Sequence, residues 1–230
     1  MENKILGKAD LHIHSRYSYD GFSPVGKILE RAKEAGLDLI AITDHETIEG
    51  AQEALSLSGQ FGINVIVGEE IETIDGDVLG IFIKKAIPAR ISPLEAIKEI
   101  HAQRGLAIIP HPFNWLVGGL PLKVVCQIFQ EADGIELFNA GWGGGIGRKK
   151  AQDLNLAKFR LAATGSSDAH IARQVGRAYT IFEGKSTQAL FSAILNKTTK
   201  PAGISWTTMD KIIWLCNLPK RFFKRRPKIQ

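Results

Sequence analysis

Five of the six histidines stand beside Asp or Pro in four short clusters: Asp10-Leu11-His12-Ile13-His14, Asp44-His45, His111-Pro112 and Asp168-Ala169-His170. Each cluster ends or follows an apolar run of β character. Alternate side chains of a strand share a face, so His12 and His14 can aim two imidazoles from one strand end at the same cation, with Asp10 in phase. Imidazole and carboxylate together suit borderline divalent ions such as zinc, manganese and iron. Packing alone gives no reason to collect such residues at four separate strand ends. The chain needs a fold that brings those ends to one place.

The strand candidates are residues 8–14, 38–43, 63–68, 78–83, 106–110, 134–138, 161–165 and 177–182, and helical patterns separate most of them. Ser23-Pro24 and Ser92-Pro93 open helices with Pro at the first helical position, and Gly36 and Gly105 close them. Ile74-Asp75-Gly76-Asp77 is a hairpin signal, which predicts a local antiparallel excursion after Glu72. Nearly continuous apolar strands flanked by helices argue for an α/β fold with a mainly parallel sheet buried on both faces. An open doubly wound sheet offers a crevice only near its switch point, so the four clusters, with Glu69 and Glu70 after a fifth run and Glu136 in a sixth, favour a closed or nearly closed barrel.

At 230 residues, 44% hydrophobic and 23% charged, the composition is that of a soluble globular protein with one large core. The expected division is a catalytic domain over 1–205 and a C-terminal apolar helix-like segment with a basic tail over 206–230, with Pro219 interrupting the helix. The formal net charge of +5 comes from that tail, since Lys220, Arg221, Lys224, Arg225, Arg226 and Lys228 supply six positive charges and leave the remainder slightly acidic. The tail makes nucleic acid or an anionic membrane surface a possible partner. No apolar run approaches the ~18 residues that span a bilayer and no leader precedes residue 10, so the expected location is cytoplasmic. Cys126 and Cys216 lie in apolar helical stretches and read as buried free thiols.

Taken in order, Asp10-Leu11-His12-Ile13-His14, Ser18-Tyr19-Asp20-Gly21, Ile42-Thr43-Asp44-His45, Gly68-Glu69-Glu70, Pro110-His111-Pro112 and Gly165-Ser166-Ser167-Asp168-Ala169-His170 resemble the successive motifs of the PHP (polymerase and histidinol phosphatase) superfamily. The resemblance spans about residues 8–182. It implies a distorted seven-stranded β/α barrel, TIM-like, holding two or three divalent metal ions (Mn, Zn or Fe) that hydrolyse phosphoesters. Carried over position by position, it implies His12, His14, Asp20, His45, Glu70, His111, Asp168 and His170 as metal ligands, with Glu70 preferred to Glu69 by the G-x-E spacing. Asp10 and Asp44 then orient neighbouring imidazoles. Some relatives with three metals supply a further histidine before the last pair; between Phe113 and Ala169 this chain has none, which favours two metals unless Asn139 or water completes a third site.

The expected function is that of a metal-dependent phosphoesterase acting on a small phosphorylated metabolite or nucleotide by attack of a metal-bound hydroxide, with His45, Asp168 and His170 as catalytic candidates. Asn139 and Arg148, which flank the glycine-rich stretch 141–147, and Arg173 and Arg177, after the last ligand pair, are candidate substrate contacts; arginine pairs bidentately with phosphate oxygens. His101, in a helical pattern with no metal-type neighbour, reads as a structural histidine. A nuclease or end-processing enzyme is the alternative, and a non-catalytic, regulatory metal-binding module is another of a different class.

Overall fold

The structure is a computed structural model and describes residues 5–221. Nine strands form one sheet: β1 (Leu6–Asp10), β2 (Leu39–Ile42), β3 (Asn64–Glu72), β4 (Asp77–Ile81), β5 (Leu106–Ile109), β6 (Gly134–Asn139), β7 (Ala162–Ser166), β8 (Ala178–Glu183) and β9 (Lys200–Gly203). Their order in space is β7-β6-β5-β4-β3-β2-β1-β8-β9. Only β4 and β8 run against the rest. The hairpin signal at Ile74–Asp77 is realised, with Glu72 opposite Asp77.

The sheet curls until β7 meets β8 and β9. Side chains close the seam: Thr180 Oγ1 accepts from Gly165 N and donates to Gly165 O, both at 3.0 Å, and Thr199 Oγ1 donates to Ala163 O at 2.9 Å. Gly165 is required there, because a Cβ would lie 2.8 Å from the Tyr179 carbonyl oxygen. The result is a nearly closed barrel of nine strands, not the seven implied by the resemblance. The strand with no counterpart in the sequence reading is β9, Lys200-Pro201-Ala202-Gly203. Proline and glycine are poor strand residues, tolerated here because β9 pairs through the ladder on one side only. β1 also stops at Asp10, short of the expected residue 14, and Ile13 makes only an isolated bridge to Ala169.

Inward side chains fill the barrel at one end. Leu39, Ile66, Leu79, Ile81, Leu106 and Phe182 pack with Leu190 and Ile194 of the helix α6 (Thr187–Leu195), which closes that end. Outside, α1 (Val25–Glu34) and α2 (Glu49–Phe61) cover the outward residues of β2 and β3, while α3 (Pro93–Ala102), α4 (Leu122–Ile128) and α5 (Arg148–Leu154) cover β5 and β6. Ser92 caps α3 in a reciprocal box with Glu95, with Pro93 at the first helical position. Pro24 stands one position earlier than expected, as the residue preceding α1.

The last helix, α7 (Thr208–Arg221), contains Pro219 within its final turns, so proline does not end it where the sequence suggests. Its start is held by Thr207 and Asp210, each backbone amide donating to the other's side chain at 2.8 and 3.2 Å. Asp210 is fully buried and also receives Arg173 Nε and Arg177 Nη2, both at 3.0 Å. We expect Asp210→Ala to lower unfolding stability by about 3 kcal/mol, because it removes the cap and leaves the largely buried Arg177 unpaired. Denaturant melts of the two proteins check this. Cys126 and Cys216 are free, but Cys126 is half-buried at the edge of the core and Cys216 is exposed. The side chains of Lys220 and Arg221, with Lys224, Arg225, Arg226 and Lys228, lie outside the described residues. No described helix is long and apolar enough to cross a membrane.

Candidate metal centre

Strand alternation sends every second residue inward, and the end of the barrel opposite α6 is polar. In β3, Glu70 is in phase with the core residue Ile66 and points in, whereas Glu69 points out and accepts from Ile87 N at 2.8 Å. Burial raises the Glu69 carboxyl to about 8. The clusters after β1, β2, β5 and β7 converge on this same rim. Two of the residues there, His111 (φ 26°) and Asp168 (φ 51°), have left-handed backbones. Such conformations cost about 1–3 kcal/mol each and concentrate at functional sites.

All eight expected ligand residues are buried and lie together. His12 Nε2 and His14 Nε2 are 3.1 Å apart, at 3.0 and 3.1 Å from Glu70 Oε2 and each 3.5 Å from Asp168 Oδ1. His111 Nε2 is 3.0 Å from Glu70 Oε1. On the open side, His45 Nε2 and His170 Nε2 stand 3.4 and 3.2 Å from Asp20 Oδ2. Five sets of three side chains each bring one donor atom per residue within 4.8 Å, and His14 belongs to three of them.

The donor set fits divalent cations. His170 Nδ1 is 2.9 Å from the Asp168 carbonyl oxygen and so carries the proton, which leaves the Nε2 lone pair facing a carboxylate oxygen. His12 is placed the same way by Glu136 at 3.3 Å, with its Nε2 facing another imidazole nitrogen and Glu70. Lone pairs so opposed require a proton or a cation between them. In the protein alone, a proton takes that place at His12. Burial by itself would lower the imidazoles, but Asp20, Asp168 and Glu70 reverse it and raise His14 to about 9. His12, His45 and His111 are likewise raised against the effect of burial. Burial would raise Asp20 and Glu70, and the surrounding histidines hold both well below the usual carboxylate range. The Nδ1 atoms of His14, His45 and His111 are buried without a hydrogen-bond partner among the described residues.

Several residues differ from their expected places. Asp10 and Asp44 bind backbone and hydroxyl groups, not imidazoles: Asp10 accepts from Ser167 N and Gly176 N, both at 2.9 Å, and Asp44 accepts from Ser15 N and Ser15 Oγ at 2.5 and 2.7 Å. Asn139 donates to Glu136 Oε2 and Asp168 Oδ2 at 2.8 and 3.2 Å and accepts from Gly141 N, so its amide is committed to holding Asp168. Arg148 braces the glycine-rich loop by donating to Gly144 O and Asn139 O at 3.0 and 2.7 Å. Arg173 and Arg177 turn to Asp210, away from the cluster. His101 pairs with Asp133 at the surface, as a structural histidine would.

The site includes residues that the motifs do not single out. Glu136, in the inward phase of β6, orients His12. Asp77 begins β4, and because β4 runs backwards its first residue reaches this rim, beside Glu70 and His111. Burial and Glu70 raise Asp77 to about 8. Tyr19 stacks on His45 at 4.8 Å and donates to Glu72 at 2.7 Å. Trp142, Trp206 and Trp214 close one side of a cleft of about 470 Å³ above the cluster. Inward phase in the predicted strand 134–138 was the signal for Glu136; Asp77 fell in the hairpin signal, one residue before the predicted strand, and nothing local marks the tryptophans.

Residues 10–139 match the PHP domain family, and residues 149–199 match the PHP-associated family. The chain belongs to the PHP family. An uncharacterized protein of Methanocaldococcus jannaschii is 40% identical over 149 residues, which cover 60% of this chain and 85% of that protein. A 3',5'-nucleoside bisphosphate phosphatase of Chromobacterium violaceum is 31% identical over 103 residues, 44% of this chain and 38% of the relative. Among solved structures, a two-domain protein of Bacteroides vulgatus containing a predicted PHP-like metal-dependent phosphoesterase superposes with a TM-score of 0.75 at 22% identity, over 89% of this chain and 66% of that one. This likeness is one of fold. The buried histidine and carboxylate cluster of this PHP protein suits divalent metal.

Proposed function

We propose that this PHP protein hydrolyses a small phosphorylated metabolite or nucleotide. Two or three divalent ions, manganese, zinc or iron, would be held by His12, His14, Asp20, His45, Glu70, His111, Asp168 and His170. The observation that carries the reading is the meeting of five imidazole Nε2 atoms with three carboxylates, of which His45, His170, Asp20 and Asp168 line one cleft. Divalent ions, when bound, acidify water and offset the charge that builds on a phosphoryl group. The chain's own work is placement. Glu136 and the Asp168 carbonyl fix the ring orientation of His12 and His170, and Asn139 fixes Asp168, so donor atoms face inward before any ligand arrives. His45, Asp168 and His170 line the open side and are the catalytic candidates. Either histidine could pass a proton to a leaving oxygen only with its Nε2 free of metal.

A small ester is favoured over a polymer because the cleft has no lysine or arginine among its described lining residues, whereas a bound nucleic-acid strand needs cations along its backbone. A panel of phosphate monoesters assayed with manganese, zinc or iron tests the proposal. Release of inorganic phosphate that a chelator stops is the expected result. Efficient cutting of oligonucleotides with no release from any small ester would put the nuclease in its place, and bound metal with no turnover on either would leave a regulatory module.

A further inference from the structure

Three of the four tryptophans come from separate segments to one wall of the cleft. Trp142 lies in the glycine-rich loop, Trp206 follows β9, and Trp214 is on α7. Trp142 and Trp214 stack with ring centroids 5.2 Å apart at 25°, and Trp206 stands 6.2 Å from Trp214. Trp206 is almost fully buried and its Nε1 donates to Ser167 O at 2.9 Å, which makes it the fixed base of the wall. Trp142 and Trp214 are half-buried and border the open cleft, and the Trp214 Nε1 has no hydrogen-bond partner among the described residues. His170, at the cluster, meets Trp214 edge-on at 6.1 Å. The aromatic wall therefore starts where the phosphoryl group would sit.

Leu116 and Val117 also line the cleft, from the short turn that follows Asn114. That turn is fixed. Gly118 O accepts from Asp77 N at 2.8 Å, and at φ +81° only glycine fits, because a Cβ would lie 1.9 Å from the Asp77 carboxylate. Asn114 accepts from Leu116 N and donates to Trp142 O at 3.3 Å, tying the turn to the tryptophan loop. The cleft is thus a pre-formed slot with apolar walls and a polar floor. Its charged lining comprises only carboxylates and histidines among the described residues, so nothing in it would hold a second phosphate.

We propose that the slot takes the organic part of the ester, a planar uncharged aromatic system of nucleobase type, against Trp142 and Trp214, and that the substrate is a nucleoside monophosphate carrying no second phosphate. The inference rests on the phosphoesterase reading for its reaction, but the slot can be tested without turnover.

In the metal-loaded protein, adenosine should quench tryptophan fluorescence and ribose should not. Binding should weaken at least tenfold in Trp142→Ala and in Leu116→Asp and return in Trp142→Phe. Leu116 is 46% exposed, so its replacement leaves the core alone even if a tryptophan variant folds poorly. In turnover, adenosine 5'-monophosphate and ribose 5-phosphate both leave through the primary 5-hydroxyl of a ribose. The nucleotide should exceed the sugar phosphate at least tenfold in kcat/KM, and exceed adenosine 3',5'-bisphosphate by as much. No quenching, quenching unchanged in Trp142→Ala and Leu116→Asp, a ratio near one between nucleotide and sugar phosphate, or preference for the bisphosphate would overturn the proposal. Quenching without hydrolysis of any ester would keep the slot and remove the phosphoesterase.

Discussion

His14→Ala and Asp168→Ala are each expected to lower phosphoester turnover by at least about a thousandfold, roughly 4 kcal/mol in barrier. His14 Nε2 faces His12, Glu70 and Asp168 at 3.1 to 3.5 Å, so its loss opens several donor sets at once. Asp168 joins the two halves of the cluster, lying near His12 and His14 through Oδ1 while Oδ2 takes the Asn139 amide. Both side chains are buried at the rim, away from the apolar packing around α6, so circular dichroism should show the fold retained. Elemental analysis should find less than the wild-type content of divalent metal in both variants. His101→Ala should stay within about twofold of wild type, since among the described residues the His101 ring pairs with Asp133 at the surface, away from the cluster. Full activity in either site variant with bound metal unchanged would show that the centre lies elsewhere.

Local rules made much of this legible. Strand alternation and apolar runs placed eight of the nine strands, because buried strands carry a strong pattern over a few residues. β9 escaped because Pro201 and Gly203 break that pattern, and its pairing with β8 is set by tertiary contacts. The eight candidate ligands lie on rim turns or inward strand positions, and the structure gathers all of them. Arg173 and Arg177 illustrate the limit: an arginine's reach says nothing about which carboxylate it will find, and here Asp210, more than thirty residues later, takes both. The same distance hid the tryptophan wall, since 142, 206 and 214 become neighbours only when the barrel closes and α7 docks. Asp10 and Asp44 were misplaced for a subtler reason. Each is next to a histidine cluster in sequence, but each points to a chain crossing behind the rim, where buried backbone amides need acceptors.

Metal-free protein should lose stability as pH rises from about 6.5 to 9, and bound metal should remove that loss. His14 is raised to about 9 from an unfolded value of 6.5, so its stabilising protonation is complete below 6.5 and is lost as pH climbs through 9. This single group contributes on the order of 3 kcal/mol. Glu69 and Asp77, both raised to about 8, act in the same direction: the folded state holds their protons and loses ground to the ionised unfolded chain until pH passes 8. Asp20 and Glu70 act at lower pH, where their depressed values give stability that is lost only on acidification, so they leave this window unchanged. Melts of chelator-treated protein should therefore fall by several degrees between pH 6.5 and 9. Metal must displace the imidazole protons, so adding manganese at pH 7 should release protons and apparent affinity should rise toward pH 9. Calorimetry in two buffers of different ionisation enthalpy reads that release. A flat melting curve together with no proton release would mean that the histidines are neutral in the metal-free protein and that the opposed lone pairs are separated by something other than protons.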